Sequence, residues 1–129
     1  MSGIVHAYAL AGAEGIAARD LAVYARGIAD LLPDIVDEYA GQADDGHYPA
    51  DVSNILSAAA GMEHIIHAAR AHGMDVGMLS AGVAIARRAI DAGHGTDNFS
   101  RLVQVLGKGG TAAVSGSPEE TIRTGVGNG

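Results

Sequence analysis

Cysteine is absent from the 129 residues, which removes disulfides, thiolate nucleophiles and cysteine-ligated zinc and suits a reducing compartment. Tryptophan is missing as well, and phenylalanine occurs once. Hydrophobic residues still make up 48% of the chain, so the apolar content is mostly small, and 19 glycines accompany it. Small side chains let helices approach closely but bury little area per residue. A self-sufficient core is therefore marginal, and association with a second copy is expected. Basic residues are scarce too: 8 Lys and Arg stand against 15 Asp and Glu, for a net charge of −7. Phosphate backbones and anionic membrane surfaces are recognised by clustered cations, so nucleic acid and membrane partners are excluded. No apolar run is long enough to cross a bilayer. The stretch from Met1 to Ala13 has no cationic start, carries His6 and runs into Glu14, so it reads poorly as a signal peptide. A cytoplasmic protein is expected, and the length fits one domain.

Strict alternation and β-branched runs are lacking, which leaves helical periodicity as the organising signal. Gly3 to Ala13 reads as a short helix with Ile4, Tyr8 and Ala11 on one face. Leu21, Tyr24, Ile28, Leu31, Ile35 and Tyr39 recur at spacings of three and four, the stripe of an amphipathic helix. Pro33 interrupts it, predicting a kink or a division into two helices. Asp44 to Pro49 has turn chemistry. Ser53 is then placed to cap a third long helix with Val52, Ile55, Leu56, Ala59, Met62, Ile66 and Ala69 inward, ending at Gly73. A fourth runs from about Val76 to Ala92 with Leu79, Val83, Ala86 and Ile90 inward and Arg87, Arg88 and Asp91 outward; Gly93-His94-Gly95 stops it. Thr96 or Asp97 can cap a last short helix carrying Phe99, Leu102, Val103 and Leu106. From Gly107 the chain is rich in Gly, Ser and Thr and reads as a flexible tail over 107–129. The fold class is all-α, a bundle of five or six helices over 1–106.

Chemistry-bearing motifs are few. Gly107 to Ala112 fits the dinucleotide glycine spacing superficially, but it follows a helix and leaves too little chain for a βαβ unit. Glu63 and His67 stand one helical turn apart, as some metal ligands do, yet no further ligand cluster adjoins them, and structural hydrogen bonding explains them better. No metal and no cofactor site is read. His72 and His94 flank helix C-termini, where an imidazole can meet free carbonyls. The acidic cluster of Asp37, Glu38, Asp44 and Asp45 reads as a solvated face, as do Arg87 and Arg88.

Three stretches combine into a pattern: Asp44-Asp45-Gly46-His47-Tyr48-Pro49-Ala50-Asp51, then Met62-Glu63-His64-Ile65-Ile66, then Arg88-Ala89-Ile90-Asp91-Ala92-Gly93-His94-Gly95 with Asp97 and Phe99 behind it. In this order they resemble the C-terminal domain of NADPH-dependent imine reductases and reductive aminases, relatives of the β-hydroxyacid dehydrogenases. The resemblance covers about residues 1–106, and the first helix is similar to the last turns of that family's interdomain helix. It implies an intertwined homodimer in which the helical domain of one subunit meets the Rossmann domain of the other across a cleft. It also implies that the Rossmann half is missing here and that the family's proton-donor position lies upstream of Met1. Ser57 and Ala58 match pocket positions that are often Met and Gln in reductive aminases, and Leu31 matches a frequent Trp. Leu31, Ser57, Ala58 and Met62 are thus the implied substrate-side residues.

The resemblance also sets the first helix along the cleft floor. His6 is the candidate general acid or base there, and Tyr8 the candidate hydrogen-bond donor to a carbonyl or imine nitrogen. The competing account makes Tyr8 a core residue and His6 an exposed residue of the first turn. Three functions stay open: a homodimeric small-molecule-binding module incapable of hydride transfer alone; a redox-free enzyme acting in secondary metabolism on an imine, enamine or polyketide-like substrate by cyclisation, isomerisation or condensation; and a fragment or separate subunit of a reductase, paired with a Rossmann-containing protein.

Overall fold

The computed structural model describes residues 1–111, with side chains through residue 107. Among them are six α-helices and no strand: α1 Ser2–Ala13, α2 Ala18–Ala29, α3 Leu32–Asp45, α4 Ile55–Ala71, α5 Gly77–Asp91 and α6 Leu102–Thr111, with a short 3-10 turn, Phe99–Arg101, before α6. The all-α expectation holds. The stripe from Leu21 to Tyr39 is divided into α2 and α3, and Pro33 occupies the first turn of α3. The first amides of a helix have no internal acceptor, so proline costs nothing there.

The best-packed unit is the antiparallel pair α4 and α5 with α6 laid across α5. Ile55, Ala59, Ala86, Ala89 and Leu102 form its buried centre, flanked by Met62, Ile85, Ile90, Phe99 and Val105. Alanine on both facing helices allows their backbones to come close. A Cβ on Gly82 would sit 3.3 Å from Met62 Sδ, so that glycine leaves room for the larger side chain.

Both ends of this unit are closed by specific bonds. Asn54 Oδ1 accepts from the Ser57 amide at 2.9 Å, and Ser57 Oγ accepts from the Asn54 amide at 3.1 Å. This reciprocal cap satisfies donors that the first turn leaves free. Asn54, not the expected Ser53, is therefore the cap: its side chain stands one residue nearer and reaches the third helical amide. Two further amides of that turn are bound by the following loop, Ile55 to the Asp97 carbonyl at 3.1 Å and Leu56 to the Gly95 carbonyl at 2.9 Å. At the C-terminus of α4, Gly73 has φ +67; its amide bonds the Arg70 carbonyl, and the Met74 amide bonds Ala69. Gly93 ends α5 in the same manner at φ +90, a left-handed geometry in which a side chain would be strained.

The segment before α6 is capped by Asn98, whose Oδ1 accepts from the Ser100 amide at 3.2 Å; Thr96 and Asp97 lack that role. Ser100 is 1% exposed and its hydroxyl donates to Gln42 Oε1 at 2.5 Å, tying α3 to this turn. Helix α6 continues through Gly107 to Thr111, into the stretch from residue 107 that was expected to be a tail. Packing of Leu102 and Val105 against α5 outweighs the low helix propensity of the glycines. Residues 112–129, the remainder of the expected tail, lie outside the described residues.

Candidate functional site

Helices α2 and α3 differ from the rest of the fold in having no buried residue, although both are amphipathic. Tyr24 is 73% exposed and Ile28 65%. Together with α1 they outline an apolar groove of about 350 Å³, lined by Ile4, Ala7 and Tyr8 from α1, Leu21, Tyr24 and Ile28 from α2, and Leu32 at the start of α3. Tyr8, half-buried, contributes the groove's phenol from α1. The spacing marked these α2 residues as the apolar stripe of an amphipathic helix; among the described residues nothing covers that stripe, and it forms the wall of a groove.

His6 is buried at 8% exposure, and its Nε2 has no hydrogen-bond partner. It is not the exposed first-turn residue of the competing account. It also does not line the groove with Tyr8: two residues along a helix amount to a rotation of about 200°, which sends the side chains to opposite sides. Leu31 is exposed at the junction of α2 and α3, beside the groove-lining Leu32.

The remaining implied substrate residues are on α4, and none of them lines this groove. Ser57 is exposed, but its hydroxyl is engaged in the cap, accepting from the Asn54 amide and donating to the Asn54 carbonyl at 2.9 Å. Ala58 is half-buried. Met62, also half-buried, packs against the α4–α5 core. The α1–α2 groove therefore holds Tyr8 without the α4 residues expected beside it.

Other polar residues act as bridges. Glu63 pairs with Arg87 across α4 and α5, and both border a wider groove of about 500 Å³ with His67, Arg70 and Ser80. Among the described residues no three His, Cys, Asp or Glu side chains could hold a metal ion together. His72 and His94 do not cap carbonyls with their rings. His72 Nε2 meets Glu14 Oε1 at 2.8 Å, joining the ends of α1 and α4. His94 Nδ1 faces Asp97 Oδ2 at 3.3 Å, and its Nε2 is 3.1 Å from Arg101 Nη2. Because a guanidinium only donates, His94 Nε2 accepts and Nδ1 holds the proton toward Asp97. Burial, and after it the Glu38 carboxylate, raises the Tyr39 phenol above its ordinary value of 10.0.

Residues 1–108 match the sequence pattern of the NADPH-dependent reductive aminase-like family, C-terminal domain. The chain belongs to this family. The reductive aminase-like domain is similar in structure to an imine reductase from Bacillus cereus, with a TM-score of 0.76 and 31% identity over 83% of this chain and 37% of that one. A reductive aminase from Aspergillus terreus, solved with NADPH and ethyl levulinate, gives a TM-score of 0.75 at 26% identity over 81% and 37% of the two chains. An imine reductase from Streptomyces aurantiacus gives 0.72 at 31% identity, covering 82% and 37%. No curated protein matches the sequence. The domain thus spans 37% of the length of these relatives. Gly107 to Thr111, the described part of the stretch with dinucleotide-like glycine spacing, are helix backbone in α6 and do not follow a strand. No described helix is long and apolar enough to cross a membrane.

Proposed function

We propose that this domain is a dimerisation and small-molecule-binding module corresponding to the substrate side of imine reductases, and that it does not transfer hydride alone. The observation that carries this reading is the bare apolar face of α2 and α3, 12 and 14 residues long without one buried side chain, beside the α1–α2 groove. Exposed apolar surface of this extent on a helix pair is unfavourable in water. A second copy packed over α2 and α3 removes it and closes the groove into a cleft. Tyr8, Leu31, Ser57, Ala58 and Met62 are the residues proposed to face that cleft in the dimer. The test is sedimentation velocity of the purified chain at micromolar concentration with a parallel fluorescence titration of NADPH. A dimer that leaves NADPH unbound is expected. A well-folded monomer defeats the assembly, and micromolar NADPH affinity defeats the claim of no independent hydride transfer.

A second reading, a redox-free enzyme for an imine, enamine or polyketide-like substrate, is favoured by one observation: His6 is buried with a ring nitrogen free. A ring nitrogen without a partner can serve as a general acid or base. Mass-spectrometric assay of a cyclic imine with the chain, and with H6N and Y8F, decides it: conversion abolished by either substitution supports catalysis, and equal background in all three removes it. The third arrangement, in which a separate Rossmann-containing protein supplies the redox half, predicts NADPH-dependent turnover only in the mixture.

A further inference from the structure

On the side of the molecule formed by the end of α5, the loop after it and α6 lies a recess of about 170 Å³ walled by Arg88, Ala92, His94, Arg101, Gln104 and Val105. At about 30 Å³ per water it has room for roughly five waters, enough for a four-oxygen anion. Arg88, Arg101 and Gln104 thus line this space in a chain whose net charge is −7.

Arg101 is held in position from three sides. Its guanidinium lies 5.0 Å from the centroid of the Tyr48 ring, Nη2 donates to His94 at 3.1 Å, and Nη1 stands 3.7 Å from Asp97 Oδ2. Its Nε is buried and without a partner. Arg88 has a single hydrogen bond, from Nη2 to the Val105 carbonyl of α6 at 3.3 Å, and among the described residues no carboxylate pairs with it. Among the described residues, Asp97 is the only carboxylate bonded into this group, and it is shared between His94 and Arg101. The cations are therefore pre-positioned and incompletely neutralised, the arrangement in which a planar or tetrahedral oxyanion gains charge-assisted bonds at little ordering cost. His94 does not contribute a donor, since its Nε2 is already accepting from Arg101.

We propose that this recess binds a small oxyanion, a phosphate or carboxylate group, through Arg88, Arg101 and Gln104. The recess shares no lining residue with the α1–α2 groove.

Isothermal titration calorimetry of the full chain at low ionic strength tests it, with inorganic phosphate and acetate titrated separately. Saturable 1:1 binding with a dissociation constant on the order of millimolar is expected. Arg88→Gln should weaken it about tenfold, the loss of one charge-assisted bond. Arg87→Gln removes the same charge one residue away, outside the recess, and should leave affinity within about twofold, since only a long-range field would be altered. Gln104→Ala supplies a second, uncharged probe, and a thermal melt of each variant reports folding. Binding of phosphate alone assigns a phosphate site, and binding of both anions a general oxyanion site. Lack of saturable binding by either anion, or equal weakening by Arg87→Gln and Arg88→Gln, overturns the proposal.

Discussion

Asn54 shows how much one side chain decides at the start of α4. Its Oδ1 bond to the Ser57 amide and the return bond to Ser57 Oγ close the first turn. Asn54→Ala removes the acceptor and should lower stability by about 1 kcal/mol, read as a reduced urea midpoint at unchanged slope. Tyr39 provides a titration at the same scale. Its folded pKa lies above 10.0 because burial opposes the phenolate and Glu38 adds to that effect. The neutral phenol is thus favoured by folding: its contribution is complete below pH about 10 and lost as pH rises through the folded value. Thermal melts from pH 9 to about 11 should show the wild type losing more stability than Tyr39→Phe. Equal alkaline losses would deny Tyr39 that part.

At the scale of elements, the α4–α5 pair depends on the absence of bulk. Ala86 and Ala89 are fully buried against Ile55 and Ala59, so Ala86→Leu must push the helices apart. A cost of about 1–3 kcal/mol is expected from such overpacking, visible as a lower melting temperature with the helical circular dichroism preserved. Most of this architecture was legible in the sequence. The glycines at 73 and 93 marked helix ends because few residues tolerate φ near +67 or +90. The periodic runs marked helices because burial on one side imposes a repeat of 3.6. The caps were misplaced by one or two positions, since Ser53 and Asn54, like Thr96, Asp97 and Asn98, are all capping types and only the path of the chain selects among them. The end of α6 was set too early, because the packing of Leu102 and Val105 on α5 is a tertiary contact that no local glycine count contains.

For the whole molecule, the governing feature is the uncovered face of α2 and α3. Tyr24→Glu combined with Ile28→Glu places two carboxylates on that face, where both side chains are more than half exposed in one chain. If a second copy covers it, burying unpaired charge there costs several kcal/mol. The double variant should sediment as monomer while the wild type is dimeric; identical sedimentation of the two would move the interface elsewhere. The candidate site is distributed in the same sense. Tyr8 stands on the groove, His6 on the far side of α1, and Ser57, Ala58 and Met62 on α4. The motif pattern named these residues without being able to say which of them meet.

Helix content, the glycine-marked ends of α4 and α5, the small-residue core and family membership followed from the order of residues, because each depends on neighbours within a few turns or on a linear pattern. The grouping of Arg88 with Arg101 and Gln104, the bridging of His72 to Glu14, and the burial of His6 depended on chain segments far apart in sequence. No local periodicity encodes such meetings. They arise when helices pack, and packing is set by the sum of many weak contacts that become definite only in the folded arrangement.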